Sequence, residues 1–407
     1  MLGWQDAAME LEEQDISRKM LLRVLPLLEK LHLCGTERDT AGNRTLFFDD
    51  YAKLTLIYLF NPLIDSISML QRAAALPRLA KQLGIGDFSK ASFSEAPAVF
   101  EAQQLEKVIT ELAGELRKLP ADPRLADIKQ AIALADGTLL KTLPKLVETL
   151  YRSNRDGAAY HAFRVHTLLD LHSGVPTVMQ LTGGSPKGAD NERRVLEALL
   201  QKDHLYVADR GYFDKKLLEQ IVQAGSSYVF RVQDNVQYQV IEQRPLSQAA
   251  VADGVLSDTV VTMEGLARPL RLVVVKADVH RKRTREGSID SSGRMRLLGN
   301  DLSLDPELIS LLYRYRWTIE TFFKFLKQML GCRHLISQRR NGVEIQIYCA
   351  MIACMLLNLY TGLKPSKAVM EVLMWHMLGF ADEQEVQRQI EKSRREQEKA
   401  RAKKMAV

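Results

Sequence analysis

Apolar positions recur at three- and four-residue steps from Leu11 to about Leu119, as in Leu21, Leu22, Val24, Leu25, Leu28 and Leu31. That spacing lines one face of an α-helix and predicts a helical N-terminal region. Its helices are short, run through Asp49 to Phe60, Ile64 to Leu70 and Leu76 to Gly84, and are joined by Gly- and Ser-bearing turns. A last helix from Glu101 to Lys118 stops at Leu119-Pro120, and Pro120 to Pro123 reads as a linker. Beyond Asp127 the texture changes. Ile128 to Leu134 is an apolar run closing on Asp136, and Phe163 to Leu169 and Val175 to Leu181 suit two paired strands. Asp190 to Leu200 reads as a helix with Asp190 as N-cap. Strand Leu205 to Ala208, helix Asp214 to Ala224 and strand Tyr228 to Val232 follow. The alternation predicts an α/β domain with a mixed sheet, as in the ribonuclease H-like fold. From Gln233 to about Asn300 the helical period vanishes. Valine-rich runs at 236–241, 255–263 and 270–279 predict an all-β insertion.

The segment from Tyr313 to Lys327 carries two stripes. At about 100° per residue, Arg316, Glu320 and Lys327 fall within roughly 60° of Tyr313. Leu308, Leu312, Ile319, Phe323, Leu326 and Leu330 fall on a neighbouring face. An amphipathic helix needs the apolar stripe. It does not need a phenol, a guanidinium, a carboxylate and an ammonium aligned over four turns. Further on, Ile345 to Leu363 is apolar enough to span a bilayer, but Gln346 and Asn358 interrupt it, so a buried core helix is expected. From Glu383 the tail is charged and nearly free of apolar residues, which predicts a solvated helix.

Composition narrows the function classes. The 407 residues are 46% hydrophobic, ample for a large core, with a net charge of +6. This mildly basic balance, with Arg72, Arg78, Lys81 and Lys90 on the short N-terminal helices, suits a polyanionic partner read by helix-turn-helix-like elements. The cysteines, Cys34, Cys332, Cys349 and Cys354, form no CxxC pair, which argues against zinc and for a reduced cytosol. Met1 to Asp6 lack the basic start and apolar run of a secretion signal.

Asp136 and Asp209 each stand where a predicted buried strand ends, the place at which open α/β sheets present their sites. Glu320 adds a third carboxylate from a helix. Three such groups can hold two Mg²⁺ ions, with Mn²⁺ as the substitute, and serve an in-line phosphoryl displacement. Tyr313, Arg316 and Lys327 are phosphate-binding types beside them. Bland readings exist for each acid alone: a turn at Asp136-Gly137, an ion pair at Asp209-Arg210, a solvated Glu320. His161, His166 and His172 follow from strand alternation and a turn, and Lys187 lies in a loop on the expected active-site side.

The spacing Tyr313, Arg316, Glu320, Lys327 resembles the YREK signature of bacterial DDE transposases of the insertion-sequence-4 family. Asp136-Gly137-Thr138 and Asp209-Arg210-Gly211-Tyr212 resemble that family's first and second aspartate motifs. The likeness covers about Ile128 to Leu363, β-insertion included. It implies that Asp136, Asp209 and Glu320 are the catalytic and metal-holding triad, with Asp136 bridging both ions. It implies phosphate contacts from Tyr313, Arg316 and Lys327. The implied reaction is cut-and-paste transposition: end nicking, a DNA hairpin, hairpin opening and strand transfer. The implied partners are double-stranded DNA, as terminal inverted repeats and target, and a second copy of the chain on that DNA, in a bacterial cytoplasm at the nucleoid and with no membrane. The domains expected are 1–122 for end binding, 123–375 for the ribonuclease H-like catalytic core with its insertion at about 233–300, and 376–407 as a charged helical tail. A catalytically silent DNA-binding derivative or transposition inhibitor, and a structure-selective nuclease on the same core, are the rival readings.

Overall fold

In a computed structural model of the chain, residues 16–38, 42–61, 63–116, 122–141, 150–152, 159–183, 191–276, 293–328, 335–337 and 339–405 are described. Helices α1 (Ile16–Glu29), α2 (Phe48–Phe60), α3 (Ile67–Ala74), α4 (Pro77–Leu83), α5 (Lys90–Glu95) and α6 (Leu105–Glu115) come first. Strands β1 (Ala131–Lys141), β2 (Leu150–Arg152), β3 (Ala159–Asp170) and β4 (Pro176–Thr182) follow. Next are α7 (Glu192–Ala198), β5 (His204–Ala208), α8 (Lys215–Gln223) and β6 (Ser227–Val232). Then come β7 (Gln239–Gln243), α9 (Gln248–Ala252), β8 (Val255–Thr262), β9 (Leu270–Lys276) and β10 (Arg294–Gly299). Helices α10 (Pro306–Tyr315), α11 (Trp317–Gln328), α12 (Arg340–Thr361), α13 (Lys367–Met377) and α14 (Glu383–Met405) complete the described chain.

The chain divides into two compact units. One takes Met1–Leu119, Leu140–Leu146 and Phe322–Ala400; the other takes Pro120–Leu139, Val147–Thr321 and Arg401–Val407. In the first, α12 packs against α1, α2 and α6. Its polar interruptions are absorbed by backbone: Gln346 accepts from the Ile336 amide at 3.1 Å and Asn358 donates to the Leu363 carbonyl at 3.3 Å. Both side chains are fully buried and each bonds to backbone inside the unit, so the long apolar helix is a core element. Gly362, at φ +66, ends it in the left-handed conformation that a glycine adopts at no steric cost. The short helices α3 and α5 are capped by Ser66 and Ser89, and Arg72, Arg78, Lys81 and Lys90 are exposed on this group.

The second unit is built on a sheet of ten strands in the order β2-β3-β1-β5-β6-β10-β9-β8-β7, with β4 paired to β3. β1, β5 and β6 run parallel, and β3 and β4 are antiparallel to each other. Leu205 to Ala208 are almost completely buried, as expected of a parallel strand covered on both faces. Leu217, Leu218 and Ile221 of α8 pack on Tyr206, Ala208 and Phe230 of the sheet. Burying a side chain the size of Phe230 contributes ~2–3 kcal/mol.

The insertion differs from the all-β expectation in one way. It contains a short helix, α9, whose five residues are too few to give a clear period. It is also a continuation of the main sheet, because β10 pairs antiparallel with β6 on one side and β9 on the other. β10 follows residues 277–292, which lie outside the described residues.

Candidate active site

Strand register sets the two aspartates side by side. β1 and β5 pair in parallel through Ala135↔Ala208, and Asp136 and Asp209 are the next residues of each strand. Asp209 follows the end of β5, as the sequence implies. Asp136 instead sits inside β1, which continues to Lys141 on its other neighbour after β5 stops. The apolar run that marked a strand end was only the part of β1 buried beside β5. Each carboxylate is steadied by the amide of the residue after it: Gly137 donates to Asp136 Oδ1 at 2.8 Å, and Arg210 to Asp209 Oδ1 at 2.8 Å.

The polar stripe arrives on two helices rather than one. α10 packs across β5, β6 and the insertion strands, and ends at Tyr315; α11 begins at Trp317. At the junction Arg316 N bonds to Tyr313 O and Ile319 N to Arg316 O, a local tightening to i→i+3 bonds. The Tyr313 hydroxyl donates to Asp209 Oδ1 at 2.9 Å. The Arg316 guanidinium lies between the other two acids, with Nη2 2.7 Å from Glu320 Oε1 and Nη1 3.4 Å from Asp136 Oδ2. Burial and the charges of Glu192 and Glu320 push the Asp136 carboxyl up to about 6, against the pull of the Gly137 amide and Arg316. Burial also acts on Asp209, but Arg316, the Arg210 amide, the Tyr313 hydroxyl and Arg231 outweigh it and hold Asp209 below the usual carboxylate range. The Tyr313 phenol is raised by burial and by Asp209 beside it, so it stays protonated as a donor.

Asp136, Asp209, Glu320, Tyr313 and Arg316 therefore form one cluster at one end of the parallel strands. Lys327 lies seven residues beyond Glu320 on α11, half-buried and in the other unit. Trp317, the first residue of α11, is 50% exposed, with Arg316 Cζ 6.0 Å from its ring centroid. The α7 cap is Asn191, whose side chain accepts from the Arg193 amide, and Asp190 lies outside the described residues together with Lys187. Three charged neighbours escaped the sequence reading. Arg231 of β6 stands 3.8 Å from Asp209 Oδ1, and Arg164 of β3 is ion-paired with Glu192 of α7. A charge inside an otherwise apolar strand was the available signal for Arg231, whereas Arg164 stands in a strand that also carries His161 and His166 and gave no such signal. His166, on β3, bonds to the Thr182 hydroxyl at 2.8 Å and takes no part in the cluster.

The donors suit a hard divalent cation, being carboxylate oxygens, and a guanidinium lies where two of them converge. As arranged here, no group of three His, Cys, Asp or Glu side chains among the described residues is close enough together to hold an ion. The residues fit a metal in kind, with Arg316 providing the positive charge between them.

The cluster thus sets carboxylates at parallel strand ends beside a phenol and arginines. The chain belongs to the family described as the transposase DDE domain, whose model matches residues 128–357, more than half of its length. It is 28% identical over 204 residues to a Sinorhizobium fredii protein named as transposase y4zB, covering 48% of this chain and 52% of that one. It is 23% identical over 220 residues to a Geobacillus stearothermophilus protein named as a transposase for insertion sequence element IS5377, covering 54% and 56%. A Synechocystis protein named as a transposase for element IS4SA is 26% identical over 281 residues, covering 68% and 71%. The chain thus spans about half the length of the first two relatives. A piggyBac transposase synaptic complex with hairpin DNA has a TM-score of 0.36 at 12% identity, covering 84% of this chain and 76% of that one, a likeness too slight to define the fold.

Proposed function

We propose that this chain is a cut-and-paste DNA transposase of the insertion-sequence-4 kind, acting through Asp136, Asp209 and Glu320 on a ribonuclease H-like core. The observation that carries the reading is the register Ala135↔Ala208, which makes the two aspartates neighbours, with Arg316 joining Glu320 to them. The order β4-β3-β1-β5-β6, with β5 and β6 parallel to β1, supports the fold assignment. Two divalent ions held by the three acids would polarise the scissile phosphate and lower the pKa of the attacking water or 3′-hydroxyl. The chain's own residues do the rest. Tyr313 and Arg316 orient the phosphate at an element end, and Lys327, two turns along the helix, grips the backbone further on. Trp317, exposed beside Arg316, offers a stacking face for a base displaced in a tight hairpin. The exposed basic residues on α3 to α5 read the terminal repeat, and a second copy of the chain pairs the two ends.

The test uses the purified full chain with DNA carrying an element end. In Mg²⁺ it nicks, then joins that end to a second duplex. Glu320→Ala and Asp209→Ala each lose about a thousandfold or more of the nicking while still shifting the DNA on a gel. Normal cutting by either variant overturns the metal assignment. A shift without cutting in Mg²⁺ or Mn²⁺ identifies a silent DNA-binding derivative instead, and cutting without joining a nuclease.

A further inference from the structure

Both aspartate motifs place a glycine close behind the acid, Gly137 after Asp136 and Gly211 two residues after Asp209. Neither glycine has a left-handed backbone. One carboxylate lies against both, crowding a Cβ at Gly137 and in ordinary contact range of one at Gly211. A Cβ on Gly137 would lie 3.1 Å from Glu192 Oε1, and a Cβ on Gly211 would lie 3.5 Å from Glu192 Oε2. Glu192 therefore reaches over both glycines at once. It begins α7, where Asn191 caps the helix and fixes its direction. Arg164, mostly buried on β3, is ion-paired with Glu192, and Arg193 Nε donates to the Gly211 carbonyl at 2.9 Å. Two consecutive residues of α7 thus hold the turn after Asp209, and one of them also covers Gly137 in β1. The charge of Glu192 reaches Asp136, adding to burial in favouring its protonated form.

We infer that Glu192, clamped by Arg164, is a fourth acidic group of this centre, a positioning residue that sets the backbone beside the two aspartates and adds its charge to the field drawing in the divalent ions. The inference rests on the metal-holding role given above to Asp136, Asp209 and Glu320. Arg164 keeps Glu192 from acting as a free ligand, so its contribution is charge and spacing. The two partners then have opposite electrostatic effects on cation binding, although both matter for geometry.

The experiment measures Mn²⁺ binding to the DNA-free full chain by titration calorimetry, with thermal midpoint and nicking rate alongside. Glu192→Gln keeps the side-chain size and its bond to Arg164 but removes the charge. It is expected to weaken Mn²⁺ binding about tenfold at an unchanged midpoint in EDTA, since a unit charge acting on a divalent ion within a shielded site has an effect of this order. Arg164→Met leaves Glu192 uncompensated and is expected to tighten Mn²⁺ binding while slowing nicking. Gly137→Ala slows nicking alone, and combined with Glu192→Gln costs less than the two losses together, because the added methyl acts through Glu192. Equal Mn²⁺ binding in wild type and Glu192→Gln, or a shift in the same direction for Glu192→Gln and Arg164→Met, overturns the inference. Asp136→Asn separates this from the parent reading. If Asp136→Asn binds Mn²⁺ as wild type does, the metal-holding role itself fails; if it loses binding while Glu192→Gln does not, only the fourth acid fails.

Discussion

Two buried arginines in the second unit meet carboxylates in opposite styles. In the insertion, Arg271 faces Asp258 with two parallel bonds, Nε to Oδ1 and Nη2 to Oδ2 at 2.6 Å, and its remaining Nη1 donates to the Leu302 carbonyl at 2.6 Å. Both side chains are almost wholly enclosed, and every charge has its partner. Arg316 is equally buried but divided: one nitrogen approaches Glu320, another stands 3.4 Å from Asp136, and its Nε bonds to nothing. A bidentate, closed pair is a structural joint. A guanidinium spread thinly over acids from different elements is a counter-ion that another cation can replace. The difference teaches which carboxylates the fold needs and which it lends to chemistry.

The largest effect should come from breaking the closed pair. Asp258→Ala strands Arg271 in the interior and is expected to cost ~3–5 kcal/mol of stability, read from urea denaturation, with no recovery in Mg²⁺. Arg316→Ala is the mirror case. It leaves Asp136 and Glu320 to repel each other, lowers the midpoint in EDTA, and recovers most of the loss in millimolar Mg²⁺. Should Mg²⁺ rescue Asp258→Ala as well as Arg316→Ala, the contrast between joint and counter-ion collapses.

A smaller effect tests the electrostatics of the strand ends through pH. The Asp136 pKa in the folded chain is about 6, above its ordinary 3.8, so its contribution to stability is complete below pH 4 and is lost as pH rises through 6. His166 has the opposite sign. Burial and the nearby Arg164 lower it from 6.5 to about 4, so its contribution is complete above pH 6.5 and is lost as pH falls through 4. Each is of order 2–3 kcal/mol, and between pH 4 and 6 the two slopes oppose. In EDTA, Asp136→Asn should therefore gain stability with rising pH more steeply than wild type over this window. His166→Gln should lose stability instead. Parallel pH profiles for wild type and Asp136→Asn would remove Asp136 from the set of strained acids.

Much of this was legible along the chain because it is local. Period-two and period-3.6 patterns mark β3 to β6, α8 and the helices bearing Tyr313 and Glu320. What was not legible is non-local. β10 joins the insertion to β6 by pairing Leu298 with Phe230, residues far apart in sequence, and no pattern within either strand specifies that partner. The same limit hid Glu192, whose place beside both aspartate motifs appears only when α7 is brought over Gly137 and Gly211. The continuous helix inferred from Tyr313 to Lys327 assumed uniform rotation per residue, whereas the bonds around Arg316 tighten by one residue. Short elements escaped for another reason: five residues of α9 carry too little periodicity to stand out from loop.

The smallest effect isolates what makes Asp209 unlike Asp214, five residues on. Both begin a helical turn and both accept a backbone amide: Asp209 from Arg210, and Asp214 from Leu217 at 3.1 Å, where it caps α8. Asp214 is 40% exposed, with Arg193 3.7 Å away, a pairing of little energetic weight in water. Asp214→Ala is expected to cost ~1 kcal/mol, the usual loss for an N-cap, with the nicking rate per folded molecule unchanged. Asp209→Asn preserves the amide acceptor, so its stability should stay within ~0.5 kcal/mol of wild type while nicking is lost. Equal stability costs for the two, or a loss of nicking in Asp214→Ala, would mean that capping and chemistry are not divided between these aspartates as their partners indicate.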